Sequence, residues 1–134
     1  MSLTKSERRQ FDDLGYLVKE GVYTQEDLQP LKDGLTAVID QHCAALQHEG
    51  LMGAETFADH PFERRLGAFF KNDPEIGNRI VGAIMGHGGG GYKEQAMLDF
   101  LRHPPLLSCI ESLVGSQIVG SAVYRIRPKA PGYS

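Results

Sequence analysis

Arg125, Arg127 and Lys129 lie close together near the end of the chain, in the stretch SAVYRIRPKAPGYS over residues 121–134. The stretch alternates like a β-strand and is rich in residues that favour one. With a period of two, Ile118, Ala122, Tyr124 and Ile126 point one way; Val119, Ser121, Val123, Arg125 and Arg127 point the other. The first set is apolar and suits packing under helices. The second turns from apolar to cationic along the strand. Arginine is seldom aimed into a sheet interior unless it meets an anion, because its planar fork of donors matches a carboxylate. Two readings follow from spacing alone: an anion-facing strand, or an ordinary strand with its arginines in solvent.

Other motifs carry less. GHGGGGYK, residues 86–93, has the glycines of a phosphate loop, but Tyr92 follows Gly91 where Gly-Lys-Ser/Thr is needed, and a helix rather than a strand precedes it. His87–Gly90 has the form of an esterase oxyanion loop, yet the chain holds no G-x-S-x-G elbow. The glycine run reads as a hinge between two helices, or as a lid over a site. The histidines are His42, His48, His60, His87 and His103, and none lies in an H-x-D or H-x-E arrangement or four residues from another. A facial triad needs two histidines and a carboxylate converging on one metal. No catalytic residue and no metal ligand is assigned within the chain.

The chain has 134 residues, which allows one domain at most. It is 41% hydrophobic and 23% charged, an ordinary balance for a soluble globular protein. Net charge is −3 with the basic residues scattered, which argues against a nucleic-acid or membrane-surface partner. No apolar run approaches a membrane span, and MSLTKSERRQFDD lacks the apolar core of a signal peptide. Cys43 and Cys109 form no C-x-x-C and each falls on the apolar side of a helical pattern. They read as reduced, buried thiols of a cytoplasmic protein.

These residues are positioned by helices. Thr4 and Glu7 have capping-box spacing and open a helix that Gly15 closes. YLVKEGV, Tyr16 to Val22, reads as a short strand. Thr24 caps a long helix with Glu26 and Asp27 in its first turn. Leu28, Leu31, Leu35, Val38, Ile39 and Cys43 keep it amphipathic to about His48. Pro30 predicts a kink or a late start in it. Residues 50–72 have poor periodicity, and ADHPFERRLGAFF reads as loop with a helical turn. Asp73-Pro74 starts a helix that the glycine run ends. Another starts at Tyr92 or Lys93, and a last one at Pro104-Pro105 that Gly115 stops. The strand from Gln117 to about Arg127 follows. Two strands far apart make a marginal sheet, so either they pair under helices or the other strands are missing.

FDDLGYLVKEGVYTQEDLQPLKDGLTAVID, from Phe11, resembles the opening of the phytanoyl-CoA dioxygenase family. LRHPPLLSCIESLVGSQIVGSAVYRIRPKAPGY, from Leu101, is similar to the stretch that precedes that family's iron site, and is the more specific of the two. Residues 50–95 match weakly. The resemblance implies an α+β chain, a single partial domain over residues 1–134. It would be the mostly helical N-terminal part of a double-stranded β-helix (jelly-roll) oxygenase with few strands. It implies a dioxygenase that uses Fe(II) and 2-oxoglutarate to hydroxylate an aliphatic C–H of a small organic substrate. The family's Trp-His-x-Asp ligand motif would fall beyond Ser134, and the chain contains no Trp. The iron and cosubstrate are therefore expected in the complete protein and not on this chain alone. By resemblance, Ser121, Val123, Arg125 and Arg127 face the barrel lumen and are the cofactor-binding candidates. The unpaired terminal strand is expected to promote self-association. The competing expectation is a small, non-catalytic helical binding or scaffold protein.

Overall fold

The computed structural model describes residues 2–86, 92–121 and 123–131. They form six helices: α1 Lys5–Leu14, α2 Gln25–His48, α3 Phe62–Asn72, α4 Pro74–Met85, α5 Gln95–Leu101 and α6 Pro104–Val114. Local chemistry sets most of their ends. At the start of α1 the Thr4 side chain accepts from Glu7 N–H while the Glu7 carboxylate accepts from Thr4 N–H, as in a capping box. Gly15 closes the helix in the left-handed region (φ 76°), where a Cβ would be strained, and its N–H donates to Phe11 O at 2.8 Å. Thr24 and Asp27 repeat the reciprocal cap before α2. Asp73 serves two helices. Its N–H ends α3 on Phe69 O, and its carboxylate accepts from Glu75 and Ile76 N–H to begin α4.

The chain divides into two compact units. The first comprises Met1–Leu31 and Gln95–Ala122. In it, Leu3 N–H donates to Ser112 Oγ at 3.2 Å, and Leu3, Met97 and Cys109 are buried. The Tyr23 ring is stacked between Phe100 and His103, with centroids 4.7 and 4.5 Å away. The Tyr23 hydroxyl donates to Phe100 O at 2.7 Å, and His103 Nε2 lies 2.8 Å from Val22 O. The second unit comprises Lys32–Glu94 and Val123–Ser134. Here Leu35, Ile39, Cys43 and Leu46 of α2 are buried, with Phe69 and Phe70 of α3 and Ile76, Ile80, Val81 and Ile84 of α4. Phe57 meets the buried Phe69 edge-on at 5.0 Å.

The α+β, jelly-roll expectation is overturned, because the described residues contain helices and no strand or sheet. Both segments read as strands lack a ladder. Tyr16 and Val18 are 61% and 77% exposed, so the β-forming side chains of Tyr16–Val22 have no sheet face to cover. Residues 117–121 and 123–130 likewise form no strand. β-propensity records fit to a pleated, half-buried surface, and without a partner strand it organises nothing. Three further expectations are refined. Residues 62–72 form a full helix, with Phe62, Leu66, Phe69 and Phe70 on one face. α2 runs from Gln25 with Pro30 inside it, so of the two outcomes expected at Pro30, a kink or a late start, the late start does not occur. The last-but-one helix begins at Gln95, after Tyr92 and Lys93. Of the Gly86–Gly91 run, only Gly86 lies within the described residues, as the end of α4.

Candidate functional site

Residues 123–130 of the second unit alternate between exposed and half-buried with a period of two. Tyr124, Ile126, Pro128 and Ala130 are half-buried; Val123, Arg125, Arg127 and Lys129 are exposed. The partition of aromatic and cationic side chains read from the sequence therefore exists without a sheet to enforce it. Packing enforces it instead. The Tyr124 hydroxyl donates to the backbone carbonyl of Tyr92. Tyr92 is itself buried, and its hydroxyl lies so close to α2 that a Cβ on Gly34 would fall 1.7 Å from it. Pro131 rests on α3, where a Cβ on Gly67 would lie 3.3 Å from its ring. Burial pushes the Tyr92 phenol above its ordinary range, with the charge of Glu94 acting in the same direction, so it stays protonated.

Arg125 and Arg127 thus stand on the outward side of a seated segment. Of the four expected site residues, Val123, Arg125 and Arg127 share the second unit, while Ser121, also exposed, belongs to the first. Among the described residues, neither Arg125 nor Arg127 makes an ion pair or a side-chain hydrogen bond. A carboxylate approaching from solvent would meet two guanidinium groups on successive outward positions, with the inward Ile126 between them.

A second arrangement went unread in the sequence. Arg65 of α3 is 2% exposed and is the buried charge of the second unit. Its Nη2 donates to Asp40 Oδ1 at 2.6 Å, and both Nη2 and Nε donate to the Thr56 carbonyl. Its guanidinium sits 6.0 Å from the Phe69 ring centroid. Cys43 lies nearby, and burial raises its thiol while the Arg65 charge opposes that shift. The thiol is therefore protonated and poorly nucleophilic at neutral pH. Neither cysteine forms a disulfide, and both are buried. This cluster ties α2, residue 56 and α3 together, and its polar atoms are engaged with one another.

Among the described residues, no three of His, Cys, Asp and Glu come together in a group that could hold a metal ion. His103 is occupied by Val22 O and Tyr23, and His87 lies outside the described residues. The donor set described here does not fit iron. No described helix is long and apolar enough to cross a membrane. No family model, no curated protein and no solved structure matches the chain.

Proposed function

We propose that this chain is the helical N-terminal portion of a cytoplasmic, non-haem Fe(II)- and 2-oxoglutarate-dependent dioxygenase that hydroxylates an aliphatic C–H of a small organic substrate. The observation that carries the reading is the outward pair Arg125 and Arg127 on a segment whose Tyr124 and Ile126 are seated inward. The resemblance of residues 101–133 asks for that polarity, and an arginine fork suits a carboxylate of the cosubstrate. The portion contributes outward arginines suited to an anion, no iron ligand is assigned among its described residues, and by itself it is expected not to turn over 2-oxoglutarate. Two measurements test this. Purified alone, the chain is expected to release no succinate in an iron-dependent manner; release above a metal-free control refutes it. Reading the coding sequence past Ser134 is expected to show a Trp-His-x-Asp segment in some frame, and its absence from every frame overturns the reading.

A second reading, a non-catalytic helical binding or scaffold protein, is favoured by a different observation. Among the described residues, no buried side-chain nitrogen or oxygen lacks a hydrogen-bond partner. A self-satisfied interior is what an independent domain requires. A sharp calorimetric transition in a strictly monomeric sample supports this reading. Self-association with a broad transition supports the first.

A further inference from the structure

We propose that α1 and α6 of the first unit form a binding groove for a small ligand bearing two adjacent phosphate groups, a property beyond the function proposed above and not dependent on it. The groove has a volume of about 420 Å³ and is lined by Lys5, Arg8, Arg9 and Asp12 of α1 and by Ser112 and Leu113 of α6. Lys5, Arg8 and Arg9 stand at i, i+3 and i+4, which places three cations on one helix face. Lys5 is also the first residue of α1, where the helix dipole adds positive potential. The chain as a whole is net −3, so this is a local concentration of charge opposite in sign to the whole.

The neighbouring carboxylates compensate that charge only in part. Glu7 is committed elsewhere: it accepts from Lys19 Nζ at 2.6 Å and from Thr4 N–H at 2.8 Å. Asp13 lies 3.8 Å from Arg9 in an exposed pair. Asp12 is the carboxylate in the lining, against three cations. Among the described residues, Lys5 and Arg8 make no ion pair and no side-chain hydrogen bond. The wall across from them is fixed, because Ser112 Oγ accepts from Leu3 N–H at 3.2 Å and donates to Ser108 O at 2.8 Å. Its hydroxyl proton is thereby used, which leaves recognition to the cations. A single carboxylate would satisfy one of them. Two linked phosphates can bridge Lys5 and Arg8 across one helical turn and still reach Arg9.

The test is a titration of the ¹⁵N-labelled chain with inorganic pyrophosphate at low ionic strength, followed by amide shifts. Saturable shifts are expected at residues 5–9 and 112–113, and they should weaken as salt screens the groove. Arg8→Glu and Lys5→Glu are each expected to weaken binding by about tenfold or more, whereas Arg102→Glu, an exposed arginine of α5's end, should change it by less than about twofold. Far-UV circular dichroism checks that α1 is retained, and Arg8→Gln carries the same comparison if the charge reversal costs helicity. Retention on vesicles displaying bisphosphorylated inositol headgroups, lost in the same variants, would assign the phosphates to a lipid. Pyrophosphate saturation without retention would assign them to a soluble ligand. Shifts that are absent, that spread evenly over the chain's basic residues, or that survive Arg8→Glu overturn the proposal, whatever the vesicles do.

Discussion

Arg65 and Glu7 show how differently two charged side chains act in one chain. Arg65 has a side chain only 3% exposed, and its carboxylate partner Asp40 is 54% exposed. Removing Asp40 leaves a buried guanidinium with the Thr56 carbonyl alone, so Asp40→Ala should cost about 2 kcal/mol. Arg79→Ala removes an exposed i,i+4 pair with Glu75 and should cost less than about 0.5 kcal/mol. Urea denaturation of the two variants checks the contrast, and equal losses would contradict the burial argument. Glu7 acts through pH instead. The hydrogen bond from Lys19, then those from Thr4, hold its pKa at about 2 against an ordinary 4.5. Because the folded value is lowered, its contribution is fully present above about pH 4.5 and is lost as the pH falls through about 2. The stability of Glu7→Gln should therefore lie below wild type at neutral pH and converge with it by about pH 2; a constant offset would rule the linkage out. The Thr4–Glu7 cap was legible in the sequence because both partners lie within one turn. Arg65 was not, since nothing local distinguishes it from Arg64, which is exposed. Only the placement of α3 separates them.

At the scale of elements, α4 offers a paired test. A Cβ on Gly77 would come 2.9 Å from the ring of Phe70, which is 5% exposed and has nowhere to move. Gly77→Ala should destabilise by about 1–3 kcal/mol even though alanine is the better helix former. On the same helix Gly82 is exposed and has nothing within 4 Å of its ideal Cβ. Gly82→Ala should stabilise by about 0.5–1 kcal/mol. Thermal unfolding of the two variants should give opposite signs, and a stabilised Gly77→Ala would show that α3 and α4 do not pack as described. Helix ends defined by Thr4, Asp73-Pro74, Pro104 and Gly115 could be read directly, because caps are contracts between near neighbours. The α3 segment reads in the sequence as loop with only a helical turn, although Phe62, Leu66, Phe69 and Phe70 recur at helical spacing. It starts after Pro61 with no side-chain cap, so the start signal was missing. The two strand assignments failed for the complementary reason: a strand is defined by a partner that lies far away in sequence, and none lies beside Tyr16–Val22 or Gln117–Arg127 among the described residues. The seating of Tyr124 and Ile126 nevertheless followed from side-chain polarity, which needs no ladder.

Across the whole molecule, buried apolar side chains are unevenly distributed. In the second unit a continuous set runs from Leu35 through Leu46, from Phe69 and Phe70 to Ile84, and on to Tyr92. Among the described residues of the first unit the buried apolar ones are Leu3, Met97 and Cys109, and α1 buries none of its own residues. There, order rests on polar contacts: the Thr4–Glu7 cap, the Lys19–Glu7 pair and the long-range hydrogen bonds of Tyr23 and His103. Such bonds contribute on the order of 1 kcal/mol each, whereas fully burying a large apolar side chain contributes about 1.5–3 kcal/mol. Local opening should therefore be far easier in the first unit. Native-state hydrogen exchange is expected to show the slowest amides in residues 35–46 of α2 and in α3 and α4. Those of α1 and α5 should exchange by much smaller openings that urea barely promotes, whereas urea should accelerate exchange of the slow set with the full slope of global unfolding. The Cys109 turn of α6 should be the best protected part of the first unit, being the one place where that helix is fully buried. If α1 amides exchange as slowly as those of Ile80 and Val81, apolar burial does not set the stability of this chain, and the energetic weight assigned to the second unit's core is wrong.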